Sequence, residues 1–546
     1  MEWYYNAVFY ELYVRAFYDS NGDGHGDFAG LRQKLDYLQW LGVDCIWLLP
    51  INQSPLKDDG YDVSSYYSIH PSYGFLEDFM LTVEEVHQRG MKIIIDMVLN
   101  HTSDQHPWFK ESRSGKDSPL RDFYVWSEDT NKYADARIIF LDTEPSNWAY
   151  SATTHEYYWH RFYSTQPDLN YDNPRVQEEM LRVLKFWLDL GVDGFRLDAV
   201  PYLFEREGTN CENLPETHEF LKKVRKLVDE HYPGRLLLAE ANQWPQDLLP
   251  YFGNGDELQM CFNFPLMPRL FMALAKQDKT PIIEVMNQMP SIPPGCQWAT
   301  FLRNHDELTL EMVTPEEREF MWNYYAPEYS QRINLGIRRR LAPLLENDRA
   351  RLELMHSLLF TLPGTPVLYY GDEIGMGDNV GLPDRNGVRT PMQWEDEVNA
   401  GFSAAPPDLL YSPVIRDPEY GFQNVNVAKQ QADPNSLLHL VRKMNLIRKQ
   451  LPMLAAARLE WLEEAPRSAP CFWRHGEDRR FLALHNLSDY PDTIVLPEGV
   501  TFEDALNPDE EIGEYVVLPP YGYRWLLEVV REPAKGKKRK EQSSDK

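Results

Sequence analysis

Cysteine is scarce in this chain: Cys45, Cys211, Cys261, Cys296 and Cys471 are the 5 among 546 residues, and none shares a CxxC. The spacing offers neither a zinc site nor a disulfide framework. Positive charge is also short, with 55 Lys and Arg against 84 Asp and Glu and a formal net charge of −29. That speaks against a nucleic acid or an anionic membrane as partner, because either must be met with cations. Long apolar runs are missing, and the opening Met1-Glu-Trp-Tyr-Tyr-Asn6 has no basic or apolar leader region. The expectation is a cytoplasmic protein without a membrane span. No GxGxxG follows an apolar run, which removes the dinucleotide fingerprint.

What is present is an alternation. Val8–Tyr13, Cys45–Leu49, Lys92–Leu99, Gly194–Val200, Arg235–Ala241, Met260–Phe264, Trp298–Arg303 and Pro366–Gly371 read as eight buried strands. Leu31–Leu41, Leu76–Arg89, Pro174–Leu190, Pro215–His231 and Arg349–Leu362 carry apolar residues at helical spacing. Asn173-Pro174 is a good cap and first-turn pair. Strands with helical crossovers predict an α/β fold, a (β/α)8 TIM barrel, with an open doubly wound sheet as the alternative.

Two stretches interrupt the barrel, which spans 1–99 and 173–453. Residues 100–172 are too long for a βα loop and read as an inserted B domain after strand three, and about 306–346 as a lid insertion after strand seven. From 454 to 533 short alternating segments such as Phe481–Leu487 and Tyr515–Leu518 predict a C-terminal antiparallel β-sandwich. Residues 534–546 read as a disordered basic tail.

In such a barrel the active site lies at the carboxyl ends of the strands. Arg196 and Asp198 stand two apart at the end of the fourth run and point the same way. A strand-ending ion pair is the plain structural reading, but Glu240 ends the fifth run, His305-Asp306 the seventh and Asn100-His101 the third. One ionised carboxylate and one protonated acid can cleave a glycosidic bond. Arg196 is expected to keep Asp198 charged, and Glu240, with no cation adjacent in sequence, to be the protonated partner.

These segments resemble the conserved regions of the α-amylase superfamily, glycoside hydrolase family 13, over nearly the whole chain from Tyr10-Glu-Leu-Tyr-Val-Arg-Ala-Phe17 onward. The resemblance implies Asp198 as nucleophile, Glu240 as general acid/base and Asp306 as transition-state stabiliser, with His101, Arg196 and His305 binding the sugar. Gly60-Tyr61-Asp62 and Val388-Arg389-Thr-Pro391 are similar to the paired Asp and Arg that grip the first glucose, so Asp62 and Arg389 are expected at a closed pocket end. Tyr202–Glu219, Gly295–Leu310 and Tyr370–Asn379 resemble the subfamily of maltose mutases, the trehalose synthases. That narrower resemblance implies interconversion of maltose and trehalose through a covalent glucosyl-enzyme with minor hydrolysis. An exo-acting α-glucosidase and a noncatalytic carbohydrate-binding relative stand as alternatives. A homo-oligomer and a separate maltose kinase as partner are also expected.

The loop Asp19-Ser-Asn21-Gly-Asp23-Gly-His25-Gly-Asp27 places oxygen groups at every second position with a turn glycine at the sixth, the pattern of a calcium-wrapping loop, although Gly30 stands where an EF-hand has its glutamate. An Asx-rich turn without metal is the alternative. The family resemblance implies a second structural Ca2+ held by Asn100, Asp168, Glu205 and the carbonyls of Tyr202 and Leu203, with Gln166 reaching the sugar. Among Trp108, Tyr157, Tyr158, Trp159, Phe162 and Trp244, no more than two are expected to stack on a sugar ring.

Overall fold

The computed structural model of the protein describes residues 2–529. The basic tail from 534 and the last residues of the expected C-terminal domain lie outside the described residues. Eight parallel strands close a barrel in chain order: β1 Phe9–Leu12, β2 Cys45–Leu48, β3 Lys92–Val98, β4 Gly194–Asp198, β5 Leu236–Ala239, β6 Met260–Phe262, β7 Gln297–Phe301 and β8 Thr365–Tyr369. Each is buried on both faces, which is why the sequence shows apolar runs rather than alternation. Gly194 opens β4 at φ +154, where a Cβ would come within 2.2 Å of the Leu236 carbonyl oxygen. Only glycine lets β4 and β5 approach so closely there.

The helices between them are α1 Leu35–Leu41, α2 Leu76–Gln88, α3 Pro174–Asp189, α4 Pro215–His231, α5 Leu266–Lys276, α6 Arg349–Thr361 and α7 Leu437–Gln450. Asn173 caps α3 by accepting from the Arg175 amide, with Pro174 at the first position. The single helix expected over Leu31–Leu41 is instead two, Phe28–Gln33 and α1. Lys34 leaves helical geometry between them, its ammonium seated over the rings of Tyr18 and Trp394 at 4.1 and 4.3 Å.

The stretch 100–172 carries its own antiparallel sheet, in which Glu156–Trp159 lies between Trp126–Ser127 and Trp148–Ser151, over a small cluster containing Trp148 and Trp159. A bridge between His101 and Asp168 ties its two ends together over β3. The lid stretch forms a three-stranded sheet of Leu308–Thr309, Gly336–Ile337 and Arg332–Ile333, with helix Pro315–Tyr325. In the C-terminal region a five-stranded antiparallel sheet faces a two-stranded one, Asp492–Val495 with Tyr515–Leu518. Alternation along Arg480–His485 explains the layering: Phe481 and Ala483 pack into the main core, Leu482 and Leu484 between the two sheets. Ser357 on α6 fixes the contact, accepting from the Trp525 indole at 2.8 Å.

Candidate active site

At the carboxyl end of the barrel lies a cavity of about 110 Å3 lined by Asp58, Tyr61, His101, Asp198, Glu240, Asp306 and Arg385, among others. Register puts the central cation in place. Arg196 on β4 pairs with Asp96 on β3 and with Leu238 on β5, so its guanidinium is flanked by the ends of both neighbours. Its Nη1 donates to Asp96 at 2.7 Å and to Asp198 at 2.5 Å, and its Nη2 reaches Glu240 at 2.7 Å. Glu240 thus does have a cation beside it, contrary to the expectation from its sequence neighbours. Directly after Asp198, Ala199 adopts a left-handed conformation and turns its N–H onto Glu240 Oε2 at 3.1 Å. Strain of this kind in a residue other than glycine is held where the surroundings demand it.

The three carboxyl groups are shifted by different causes. Burial pushes Asp198 up to about 6, against Arg196, so it is still ionised at neutral pH. Burial pushes Glu240 further, to about 8, with Arg196 opposing and the charges of Asp198 and Asp306 adding to the rise. For Asp306 burial is overruled by His305, Arg385 and Arg389, which hold it well below the usual carboxylate range. The side chains of Glu240 and Asp306 keep 20% and 22% of their surface open, so they face the cavity rather than the core. One ionised carboxylate beside one protonated acid, facing one cavity, is the equipment for nucleophilic displacement with acid assistance.

His101 lines the cavity as a neutral imidazole, since burial drives it down to about 3. His305 sits behind Asp306, with Nε2 at 3.0 Å from Asp306 Oδ2 and 2.7 Å from the Tyr61 hydroxyl. The expected pair of Asp62 and Arg389 does not form. Asp62 is fully buried outside the cavity, its oxygens accepting from Ser54 Oγ and from the amides of Lys57 and Asp58. Arg389 instead joins Asp59 at 2.7 Å and Asp306 at 2.9 Å behind the wall. The place at the cavity end is taken by Asp58 and Arg385, 2.8 Å apart, with Arg385 also 2.8 Å from Asp306. Gln166 donates to the other oxygen of Asp58 at 2.9 Å, so it supports the pair rather than lining the cavity.

Of the six candidate aromatics only Phe162 lines the cavity; Tyr61, Phe140, Tyr202 and Phe264 complete its apolar wall. Trp108 packs on Tyr66, His106 and Phe123, whereas Tyr157, Tyr158 and Trp159 belong to the inserted sheet.

In the Asp19–Asp27 loop, Asp19 is consumed by the amides of Asn21, Gly22 and Gly24 and by the Ser403 hydroxyl, and Asp27 by Ser20 and the Gly30 amide. Asn21 and Asp23 accept from Asp23 and His25 amides, and the His25 ring accepts from Arg15. These are the bonds of an Asx-rich turn, and because each oxygen that accepts one N–H keeps a second lone pair they neither require nor exclude an ion. The second set differs. Asn100 Oδ1, Asp168 Oδ2 and Glu205 Oε1 are buried without any partner, and Tyr202 and Leu203 lie in the turn just before Glu205. Burial pushes Asp168 up to about 8 and Glu205 well above its usual range, the charge of Asp168 adding to the rise of Glu205. Orphaned acceptors of this kind fit an oxygen-liganded cation. Among the described residues no group of three or more His, Cys, Asp and Glu is gathered as a metal cluster.

Comparison with known proteins accords with this geometry. The model of the α-amylase catalytic domain matches residues 11–323 and 338–457. The chain belongs to the α-amylase family. Within it, the chain is 54% identical over 540 residues to the trehalose synthase/amylase TreS of Mycobacterium tuberculosis (strain CDC 1551 / Oshkosh), covering 96% of this chain and 90% of that protein. It is 56% identical over 547 residues to the trehalose synthase of Pimelobacter sp. (strain R48), covering 96% of each. Among solved structures, the trehalulose synthase MutB of Pseudomonas mesoacidophila MX-45 superposes with a TM-score of 0.79 at 28% identity, over 97% of this chain and 99% of that one. Family membership and the α-amylase barrel place the cavity where this family works, at the carboxyl ends of the strands. No helix among the described residues is long and apolar enough to cross a membrane.

Proposed function

We propose that this protein is an isomerase that interconverts maltose and trehalose by a retaining double displacement, with minor hydrolysis to glucose. The observation that carries the reading is the cavity in which one guanidinium, Arg196, touches an ionised Asp198 and a protonated Glu240. Asp198 attacks the anomeric carbon of the non-reducing glucose while Glu240 passes its proton to the departing glycosidic oxygen. The released glucose turns in the cavity and presents its anomeric hydroxyl. Glu240, now a carboxylate, takes that proton as the new bond forms and the bond to Asp198 breaks. Asp306 faces the positive charge that develops on the ring, and Asp58 with Arg385 grips the hydroxyls at the closed end. The likeness to two trehalose synthases supports an isomerase over a plain hydrolase. Contacts that tie the inserted domain to the lid and to the loop after β8 support it as well. Asp142 of the inserted domain and Asn334 of the lid exchange hydrogen bonds, and Tyr163 donates to Asp384 at 2.9 Å. Excluding water protects the glucosyl-enzyme.

A structural cation is part of the reading. Asn100, Asp168 and Glu205, with the carbonyls of Tyr202 and Leu203, would hold a Ca2+ between β3, the end of the inserted domain and the turn after β4. Its charge would neutralise the two buried carboxylates and fix the ends of that domain. The enzyme would work in the cytoplasm as a homo-oligomer, with a separate maltose kinase as partner.

The test is a product assay. Purified protein given maltose is expected to yield mainly trehalose, and labelled free glucose in the medium should not enter it. Glucose in amounts equal to trehalose, or glucose alone, would overturn the isomerase reading in favour of the hydrolase.

A further inference from the structure

Glu11 is the only charged residue in β1, and it is wholly buried just behind the cavity wall. Its Oε1 accepts twice from one residue, from the backbone N–H of His305 at 3.1 Å and from Nδ1 of the same ring at 2.5 Å. Its Oε2 is buried without a partner. A neutral amide in place of the carboxyl would accept the same two hydrogen bonds and leave no charge in the core. Geometry alone therefore does not call for a glutamate, whereas its charge needs an opposite one beside it. The other ring nitrogen of His305 faces a second carboxylate, that of Asp306. A ring that donates to a carboxylate from each nitrogen is an imidazolium.

We propose that Glu11 is a positioning residue that keeps His305 doubly protonated, so that Asp306 meets the reacting sugar as a carboxylate fixed from behind by a full positive charge. The inference rests on the reading of Asp306 as the group facing the charged transition state. The remaining surroundings of the ring agree. Tyr61 stacks on it at 5.4 Å, Trp47 on β2 meets it edge-on at 6.0 Å, and Arg389 donates to the His305 carbonyl. The charged groups near it from other elements are Asp96 on β3, which its charge stabilises, Arg385, on the other oxygen of Asp306, and Arg389, which touches both that oxygen and the His305 carbonyl. Burial by itself would discharge the ring, but Asp306 and Glu11 together raise it to about 9. Glu240, at about 8, therefore loses its proton first as pH rises.

Glu11→Gln separates charge from shape. The ring's N–H signals, assigned by their loss in His305→Asn, can be followed by NMR without substrate. In the wild type both N–H protons are expected through pH 8. In Glu11→Gln one should be lost roughly one to three pH units lower, the span expected for removing one of two contacting charges. The alkaline limb of kcat/KM on maltose, set by Glu240 at about 8 in the wild type, should move toward acid by up to about two pH units, as far as His305 then titrates below Glu240. Glu11→Asp, which keeps the charge, should restore the doubly protonated ring at pH 7, and it serves the same test if the glutamine variant does not fold. A ring that titrates in Glu11→Gln as in the wild type, with activity lowered equally at all pH values, would overturn the proposal and leave Glu11 a packing residue. A wild-type protein without disaccharide turnover would sink the functional reading instead, while the ring titration would still report on Glu11.

Discussion

Asp58 and Asp62 lie four residues apart, and the structure gives them opposite duties, so replacing each by asparagine tests the closed end of the cavity directly. Asp58 lines the cavity, with Oδ1 on Arg385 at 2.8 Å and Oδ2 on Gln166 at 2.9 Å. Asp58→Asn removes its charge but leaves Arg385 with Asp306 at 2.8 Å and Asp384 at 3.1 Å. The fold should therefore lose about 1–3 kcal/mol, not the ~3–5 kcal/mol of orphaning a buried cation. A charged acceptor for a sugar hydroxyl is worth about 1.5–3 kcal/mol, so kcat/KM on maltose should fall roughly 10- to 150-fold. Asp62 is buried and does not line the cavity. Its two oxygens take two backbone N–H groups and a hydroxyl, and an asparagine would turn an NH2 group toward one of those donors. Asp62→Asn should cost stability, about 1–3 kcal/mol by urea unfolding, and change kcat/KM less than about tenfold. Steady-state kinetics on maltose with urea titrations of both variants decide the matter. If Asp62→Asn lost activity at unchanged stability while Asp58→Asn turned over normally, the assignment of the closed end would be wrong.

The pH dependence follows from the two coupled acids. Activity should rise through about 6 as Asp198 ionises and fall through about 8 as Glu240 loses its proton, leaving kcat/KM about tenfold below its maximum near pH 5 and pH 9; a flat profile across that range would refute the division of roles. The orphaned oxygens of Asn100, Asp168 and Glu205 lead to a cation-dependent stability. Chelation should lower the thermal midpoint and Ca2+ restore it, whereas Asp168→Asn should make the midpoint indifferent to both; equal midpoints for the wild type with chelator and with excess Ca2+ would refute the site.

The barrel was legible because its strands are buried on both faces, which writes each as a short apolar run whose ends differ from the structure by only a few residues. The three carboxylates that the cavity gathers were legible for a related reason: each lies at or just beyond the end of such a run. The closed end was not. Three aspartates flank Gly60-Tyr61, Asp58 and Asp59 before it and Asp62 after it, and which one points inward depends on a turn with positive φ at Leu56, Asp59 and Gly60. Such a turn cancels the two-residue parity by which a strand tells inside from outside. Arg385 escaped for the same reason, lying in a loop whose course is fixed from outside. All four hydrogen bonds of the Arg338 guanidinium go to backbone carbonyls, and three of them, to Val380, Leu382 and Asp384, hold that loop. Glu11 did leave a signal, a lone charge within the apolar run Val8–Tyr13, and its meaning required the partner supplied by β7.

Sequence adjacency misled in one instructive way. Arg196 stands next to Asp198 in the chain, which made it the cation of the nucleophile alone. In the folded barrel it serves Asp96, Asp198 and Glu240 at once, and one positive charge cannot hold three carboxylates ionised in a desolvated site. The deficit falls on Glu240, which has Asp198 and Asp306 near it and no second cation. Asp306 has the opposite surplus, with His305, Arg385 and Arg389 all in contact. The order of the three acids across one cavity is thus set by how the cations are shared out. Moving a single positive charge should reassign the roles: a cation brought to Glu240 would ionise the acid and stop protonation of the leaving group, even with every carboxylate still in place.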